Sequence, residues 1–268
     1  GTKGIIDRIG QTTPKVLFTT STYIYNSKEH DFSSRVSEIV SYLKNLYAVV
    51  IVDDININKF EEDYSYILFE NFGKKSKLKF TKFPFSHPSY ILYTSGTTGA
   101  PKAIVHSIGG TILQHFKEHK LHNDLRPNDR IMWYTNIAWM MYHWVVSSLG
   151  CNATLVLYDG VPITKKNNNF DGSLLWKVAD KEKLTHLGIS PKYISTLEDI
   201  NEKPINKYNI NSLRWLLAAG SPVAPSQFDW IYKNIKKDIG FASISGGSEV
   251  LACFMLGSPL HPVRRGEL

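Results

Sequence analysis

The chain has 268 residues, is 43% hydrophobic and carries a formal net charge of +7. That length and apolar content suffice for a sizeable core, as one large domain or two intertwined lobes. The lysines are scattered, with short clusters at Lys74-Lys75, Lys165-Lys166 and Lys236-Lys237. The charge therefore argues against nucleic acid as a partner and suits small polyanions. No apolar run is long enough to span a membrane, and no signal peptide opens the chain. Cys151 and Cys253 lie far apart in apolar contexts and read as reduced core residues, not as a disulfide or metal site.

In chain order, Lys15–Thr20 predicts a short buried strand. His30–Leu46 predicts a helix, with apolar residues at Val36, Ile39, Val40, Leu43 and Leu46, and Ala48–Val52 predicts a buried strand. This βαβ succession predicts parallel sheets with covered faces. Tyr64–Phe72 is aromatic and half-buried, and Gly73–Lys79 is a basic turn. Ser107–His122 predicts a helix. On it His115, His119 and His122 have a spacing that could hold zinc; without a Cys or carboxylate partner at ligand spacing they read as an exposed polar face. Arg130–Thr135 is a strand, Trp139–Leu149 an apolar, aromatic helix and Ala153–Tyr158 a strand. Lys165–Asn169 has the character of a flexible polar loop. Leu174–Leu184 is an amphipathic helix and Thr185–Ile189 a strand. Ser190-Pro191 is an N-cap followed by a first-turn proline, opening a helix through Leu197. Leu213–Ala219 is a strand stopped by Gly220-Ser221-Pro222. A helix with Phe228, Ile231 and Ile235 follows, then a strand Phe241–Ser245, a turn Gly246-Gly247-Ser248-Glu249 and a last strand Leu251–Leu256. The fold class is α/β: repeated βα units with mostly parallel sheets covered by helices.

The stretch Tyr93-Thr94-Ser95-Gly96-Thr97-Thr98-Gly99-Ala100-Pro101-Lys102 stands between two apolar strands, Tyr90-Ile91-Leu92 and Ala103-Ile104-Val105. Its glycines let the backbone fold back and present N–H groups, Ser95, Thr97 and Thr98 add hydroxyl donors, and Lys102 adds a cation. That combination suits the terminal phosphates of a nucleotide. It is not a Walker A loop, because the Gly-to-Lys spacing differs and no Ser or Thr follows the lysine. A hydrophilic surface loop is the bland alternative. Two more motif-bearing loops follow strands, at Gly220–Pro222 and Ser245–Glu249, and loops at the C-terminal ends of strands converge on a crevice in open α/β sheets. Glu249 is the carboxylate of these loops. With Ser248 beside it, it is a reasonable Mg²⁺ ligand, or otherwise a turn residue.

The full phosphate-loop string resembles that of the adenylate-forming enzymes, which include acyl-CoA synthetases, luciferases and peptide-synthetase adenylation domains. Within them, Tyr93–Gly110, Trp139-Met140-Met141-Tyr142, Leu157-Tyr158-Asp159-Gly160 and Arg264-Arg265-Gly266-Glu267-Leu268 resemble the acetoacetyl-CoA synthetases. So do Asp7-Arg8, Pro14–Phe18, Tyr25-Asn26 and Lys28-Glu29-His30. The resemblance implies part of the large N-terminal adenylation domain over 1–268, with sub-lobes 1–85 and 86–268 and without the small C-terminal domain. It implies activation of acetoacetate with ATP and Mg²⁺, transfer to CoA, and a cytosolic location; the sequence specifies no oligomeric state. Thr94, Ser95, Gly96, Thr97, Thr98, Gly99 and Lys102 would hold the phosphates. Gly220, Ser221 and Pro222 would border the adenine, and Ser243, Ile244, Ser245, Gly246, Gly247 and Ser248 would line the other side. The catalytic residues would be Lys102, Ser248 and Glu249, with Glu249 on Mg²⁺. The acyl pocket would be formed by Trp139, Met140, Met141, Ala219 and Gly246.

Acetyl-CoA synthetases carry bulky tryptophans before the Thr-Glu pair, where this chain has Ser245 and Gly246. The resemblance therefore implies a roomier acyl pocket, and that Gly246→Trp shifts preference to acetate. His143 stands where the relatives have Asn, and Glu249 where many have Asp. The chain opens without Met and stops at Gly266-Glu267-Leu268, as a piece of a longer protein would. Such a piece would lack the C-terminal domain with its lysine and would be a poor catalyst alone. Another short-chain acid (acetate, propionate or butyrate) and a non-catalytic nucleotide-binding protein are the alternatives.

Overall fold

In a computed structural model, residues 1–26, 28–52, 60, 64–94, 99–167 and 169–268 are described. The chain divides into two compact units, residues 1–83 with 91–104 and residues 84–90 with 105–268.

The first unit begins with helix α1 (Thr2–Ile9), followed by strands β1 (Val16–Thr19), β2 (Thr22–Tyr25) and β3 (Lys28–Asp31), helix α2 (Ser33–Tyr42) and strands β4 (Ala48–Ile51) and β5 (Tyr66–Leu68). β1, β4 and β5 form a parallel three-stranded sheet with β4 in the centre. All four residues of β4 are buried, and Val49 and Ile51 meet Val36 and Val40 of α2. The βαβ expectation is realised, but β1 is not the buried strand its composition suggests. As an edge strand it leaves Phe18 51% exposed, edge-on to Phe69 and Phe72. The predicted helix is also shorter at its start, because His30 belongs to the hairpin β2–β3, which turns at Asn26 with a positive φ of 49°.

Strands β6 (Pro88–Thr94) and β7 (Lys102–Ser107), the two strands expected on either side of the phosphate motif, pair with each other. Ser95, Gly96, Thr97 and Thr98 lie outside the described residues.

The second unit contains helix α3 (Ile108–Lys117), continued by a π-helical turn Glu118–His122, strand β8 (Arg130–Trp133), helix α4 (Met140–Val146) and strand β9 (Thr154–Leu155). Then come the hairpin β10 (Thr164–Lys166) and β11 (Asn169–Asp171), helix α5 (Leu174–Lys181), strand β12 (His186–Ile189), helix α6 (Pro191–Asp199), strand β13 (Trp215–Ala218), helix α7 (Pro225–Asn234) and strands β14 (Gly240–Ser243), β15 (Ser245–Gly247) and β16 (Ala252–Met255). Five strands form one parallel sheet in the order β14-β13-β12-β8-β9. β12 and β13 are buried throughout, as central parallel strands require. On one face Met132, Leu187, Leu216 and Phe241 pack with Trp176, Ile194, Leu197, Phe228 and Ile231 of α5, α6 and α7. On the other, Trp133 meets Trp144 of α4 at 5.5 Å, and the His186 imidazole bonds the Asn123 carbonyl at 2.8 Å. Ser190 caps α6 as expected, its hydroxyl accepting the Tyr193 N–H at 3.2 Å.

Three expectations are corrected here. Lys165 and Lys166 pair with Phe170 and Asn169 in an antiparallel hairpin rather than lying in a loose loop, and Asn167 takes a positive φ of 48°. Gly246-Gly247 is strand, not turn: Ser245–Gly247 pairs with Ala252–Met255 across a bulge, and the turn falls at 248–251. The histidine face of α3 is buried rather than exposed. His115 and His119 are fully enclosed, while Ile112, Leu113 and Leu121 face outward.

Candidate active site

The strand order reverses between β8 and β12: the chain passes from β8 to β9 on one side, then builds β12, β13 and β14 on the other. Such reversals separate the loops at strand ends and leave a crevice between them. A cavity of about 490 Å³ opens there within the second unit. Segments after three parallel strands line it: Trp139, Met140 and Met141 after β8; Ala219 to Val223 after β13; Ser243 to Ser248 at the end of β14 and into β15. Ala252 and Cys253 of β16, Gly266 and Leu268 complete the lining.

The cavity has an apolar wall. Trp139 precedes the first turn of α4, and its indole stands edge-on to Trp133 (6.4 Å, 76°). Met140 and Met141 are buried, as are Ala219 and Cys253. Gly220 has a φ of +107°, a conformation open to glycine, and a Cβ built on it would lie 3.8 Å from the Trp139 ring. The chain thus turns sharply beside the indole, two residues past the end of β13. Cys253 is a free thiol, held in its neutral form by burial and by the neighbouring Glu118 carboxylate.

The rest of the lining is polar, with Ser243, Ser245 and Ser248 and the backbone of the two glycines. Glu249 is exposed and lies outside the cavity lining. Its carboxylate folds over Gly247, 2.7 Å from the point a Cβ there would occupy. Among the described residues it has no ion-pair partner, and no cluster of three or more His, Cys, Asp or Glu side chains could hold a metal. An unpaired exposed carboxylate fits a Mg²⁺ that takes its remaining ligands from phosphate oxygens and water.

Of the anticipated residues, the cavity brings together Trp139, Met140, Met141, Ala219, Gly220, Ser221, Pro222 and all of Ser243–Ser248. Thr94, Gly99 and Lys102 belong to the first unit, where Lys102 is exposed as the first residue of β7. Gln11 donates to the Pro101 carbonyl at 2.8 Å and Thr12 bonds the Tyr93 hydroxyl at 3.2 Å, so the turn after α1 bonds residues on both sides of the phosphate motif.

The expected use of Gly246 needs correction. It lines the cavity, but a Cβ on it would run into the Ala252 carbonyl and lie 2.8 Å from Cys253 Cα. Its side-chain direction points at the backbone of β16, so Gly246→Trp cannot set an indole into the cavity. The signal missed in the sequence was Cys253, which pairs with Gly246 in the hairpin and so reaches the cavity. Two apolar-flanked segments on either side of a four-residue turn carried that pairing.

Residues 2–265 match the family described as AMP-binding enzyme. The chain belongs to that family. It is 39% identical to the acetoacetyl-CoA synthetases of Danio rerio and Rhizobium meliloti, covering 100% of this chain and 41% of each relative. It is 37% identical to the malonamoyl-CoA synthetase of Penicillium aethiopicum, covering 100% of this chain and 40% of that protein. The acetoacetyl-CoA synthetase of Streptomyces lividans superposes with a TM-score of 0.90 at 35% identity, over 100% of this chain and 41% of that one. The chain thus has the adenylate-forming enzyme fold and spans about two fifths of the length of these relatives.

Proposed function

We propose that the chain is part of an AMP-forming acid–thiol ligase that activates acetoacetate and transfers it to CoA. The observation that carries this reading is the cavity of about 490 Å³, lined both by the apolar side chains of Trp139, Met140, Met141 and Ala219 and by the polar segment from Ser243 to Ser248. A short acyl chain suits the apolar lining and a nucleotide the polar one.

In the first half-reaction a carboxylate oxygen of acetoacetate attacks the α-phosphorus of ATP. The new P–O bond forms as the bond to pyrophosphate breaks, leaving acetoacetyl-adenylate. In the second, the CoA thiolate attacks the acyl carbon and the C–O bond to AMP breaks. Neither step needs a covalent bond to protein; both need in-line placement and neutralised charge. We assign the β- and γ-phosphates to residues 94–99 and Lys102, the adenine to Gly220, Ser221 and Pro222, and the α-phosphate to Ser248. Glu249 would hold Mg²⁺, which supplies charge neutralisation on the phosphates. A cytosolic setting fits the two buried free thiols.

A second acid is favoured by one relative. Malonamate has the skeleton of acetoacetate with an amide nitrogen in place of the terminal methyl. The buried Met140, Met141 and Cys253 offer that end no strong hydrogen-bonding group, which favours the methyl. The test is ATP–pyrophosphate exchange by the full-length protein with acetoacetate, malonamate, acetate, butyrate or no acid. Exchange greatest with acetoacetate supports the reading. Exchange greatest with another acid keeps the mechanism and overturns the substrate, and no acid-dependent exchange overturns both.

A further inference from the structure

We infer that Glu118 is a positioning residue for the acyl end of the cavity, with His115 acting beside it; this rests on the ligase reading above. Glu118 is fully buried, yet it ties together two cavity walls that are remote in sequence. Its Oε1 accepts the Cys253 backbone N–H at 2.9 Å and the Gln114 side-chain amide at 3.0 Å. Its Oε2 accepts the Trp144 indole N–H at 2.6 Å. Cys253 belongs to the wall formed by β16, and Trp144 lies one turn along α4 from Met140 and Met141. Lys117 Nζ stands 3.7 Å from Oε1.

His115, one turn earlier, is also fully buried. Its Nε2 lies 2.6 Å from the Leu251 carbonyl, an atom that can only accept, so Nε2 carries the proton. Leu251 has a φ of +50° while 1% exposed, a conformation unfavourable for a leucine. It closes the turn that bears Ser248 and Glu249. The inner side of α3 thus grips the β15–β16 hairpin at two points, and the π-helical turn begins at the gripping residue Glu118. Stability alone would be served more cheaply by an apolar residue of similar shape than by a buried carboxylate. Here the polar side of the helix is turned inward and Ile112, Leu113 and Leu121 outward. Holding a bulged strand against α4 at a set separation accounts for that inversion.

The test uses the full-length protein and Glu118→Gln. The amide has one accepting oxygen and must turn its NH₂ toward one of two donors, so one wall is released. The ratio of kcat/KM for acetoacetate to that for acetate or hexanoate should change by about tenfold, the scale set by one misplaced methylene-sized contact. The KM for ATP should hold within about twofold on the same scale. Trp144→Phe removes the indole donor, and Glu118→Gln added to it should cause no further change in selectivity, because the amide oxygen is then free for Cys253. Labelling of the Cys253 thiol by a maleimide, mapped by mass spectrometry, reports the hairpin without reference to activity and should quicken by about tenfold. Unchanged acid selectivity and unchanged Cys253 labelling in Glu118→Gln overturn the inference. So does a loss that is equal for every acid and that simply adds to the loss in Trp144→Phe, which marks a structural residue. If Glu118→Gln does not fold, Trp144→Phe alone should move selectivity and labelling the same way, and its failure to do so overturns the inference. A wild-type protein without acid-dependent exchange refutes the ligase reading instead, and the labelling rate then decides the positioning role.

Discussion

Gly246 faces the Ala252 carbonyl across the β15–β16 hairpin, with no space between them for a side chain. The residue lines the cavity with its backbone and is not the stub of a missing indole. Gly246→Ala in the full-length protein should therefore lower exchange for acetoacetate, acetate and butyrate in equal proportion, by about tenfold or more, since the strand must shift to admit even a methyl. Steady-state kcat/KM for the three acids checks this; a selective gain for acetate would contradict it.

Acid length should respond to Trp139 instead. Its ring lies beside Gly220 and lines the cavity, and it is half-buried rather than locked in the core. Trp139→Ala should raise kcat/KM for hexanoate relative to acetoacetate by about tenfold, as expected for a pocket enlarged by several methylene groups. Competition between the two acids in one exchange assay measures the ratio directly.

Acid should destabilise the second unit through two histidines. Burial lowers the His119 pKa to about 3 and that of His186 to about 4, from 6.5. Asp129 and Asp124 oppose the shift at His186 and Arg214 adds to it. Both rings are neutral when folded, and the unfolded chain binds the extra protons. Stability is thus complete above about pH 6.5 and falls as pH drops toward 4, at up to about 1.4 kcal/mol per unit for each histidine. The thermal midpoint of His186→Gln should fall less steeply than wild type over that range; parallel curves would contradict the assignment.

Asp129 accepts both Arg214 guanidinium nitrogens at 2.8 Å and the Arg126 N–H at 2.7 Å while 5% exposed. The pair ties the loop before β8 to the start of β13. Arg214→Ala leaves a buried carboxylate short of two donors and should cost about 3 kcal/mol, at the low end for a broken buried pair because the arginine is partly exposed. Arg214→Lys should recover only part, since an ammonium cannot make the bidentate contact. Denaturant midpoints of the two variants give the comparison.

The local elements were legible in the sequence because their signals are local. The apolar runs at Leu187–Ile189 and Leu216–Ala219 specify buried parallel strands, Ser190-Pro191 specifies a helix start, and the residues after β8, β13 and β14 could be placed at strand ends. The motif string around Lys102 resembles that of nucleotide-using enzymes, in agreement with the family match over residues 2–265. What only the tertiary structure decided was which side of an element faces in, and which distant strand pairs with which. The spacing of His115, Glu118 and His119 shows that they share a helix face, but burial is settled by what packs there. That was Trp144 and the bulged strand at Cys253, 26 and 135 residues further on. The role of Gly246 had the same source. Its freedom from a side chain could be read in the chain, but whether that freedom opens space or admits a neighbouring backbone depends on the register of a hairpin partner. Periodicity carries no information about contacts between segments, and close packing leaves the outcome to them.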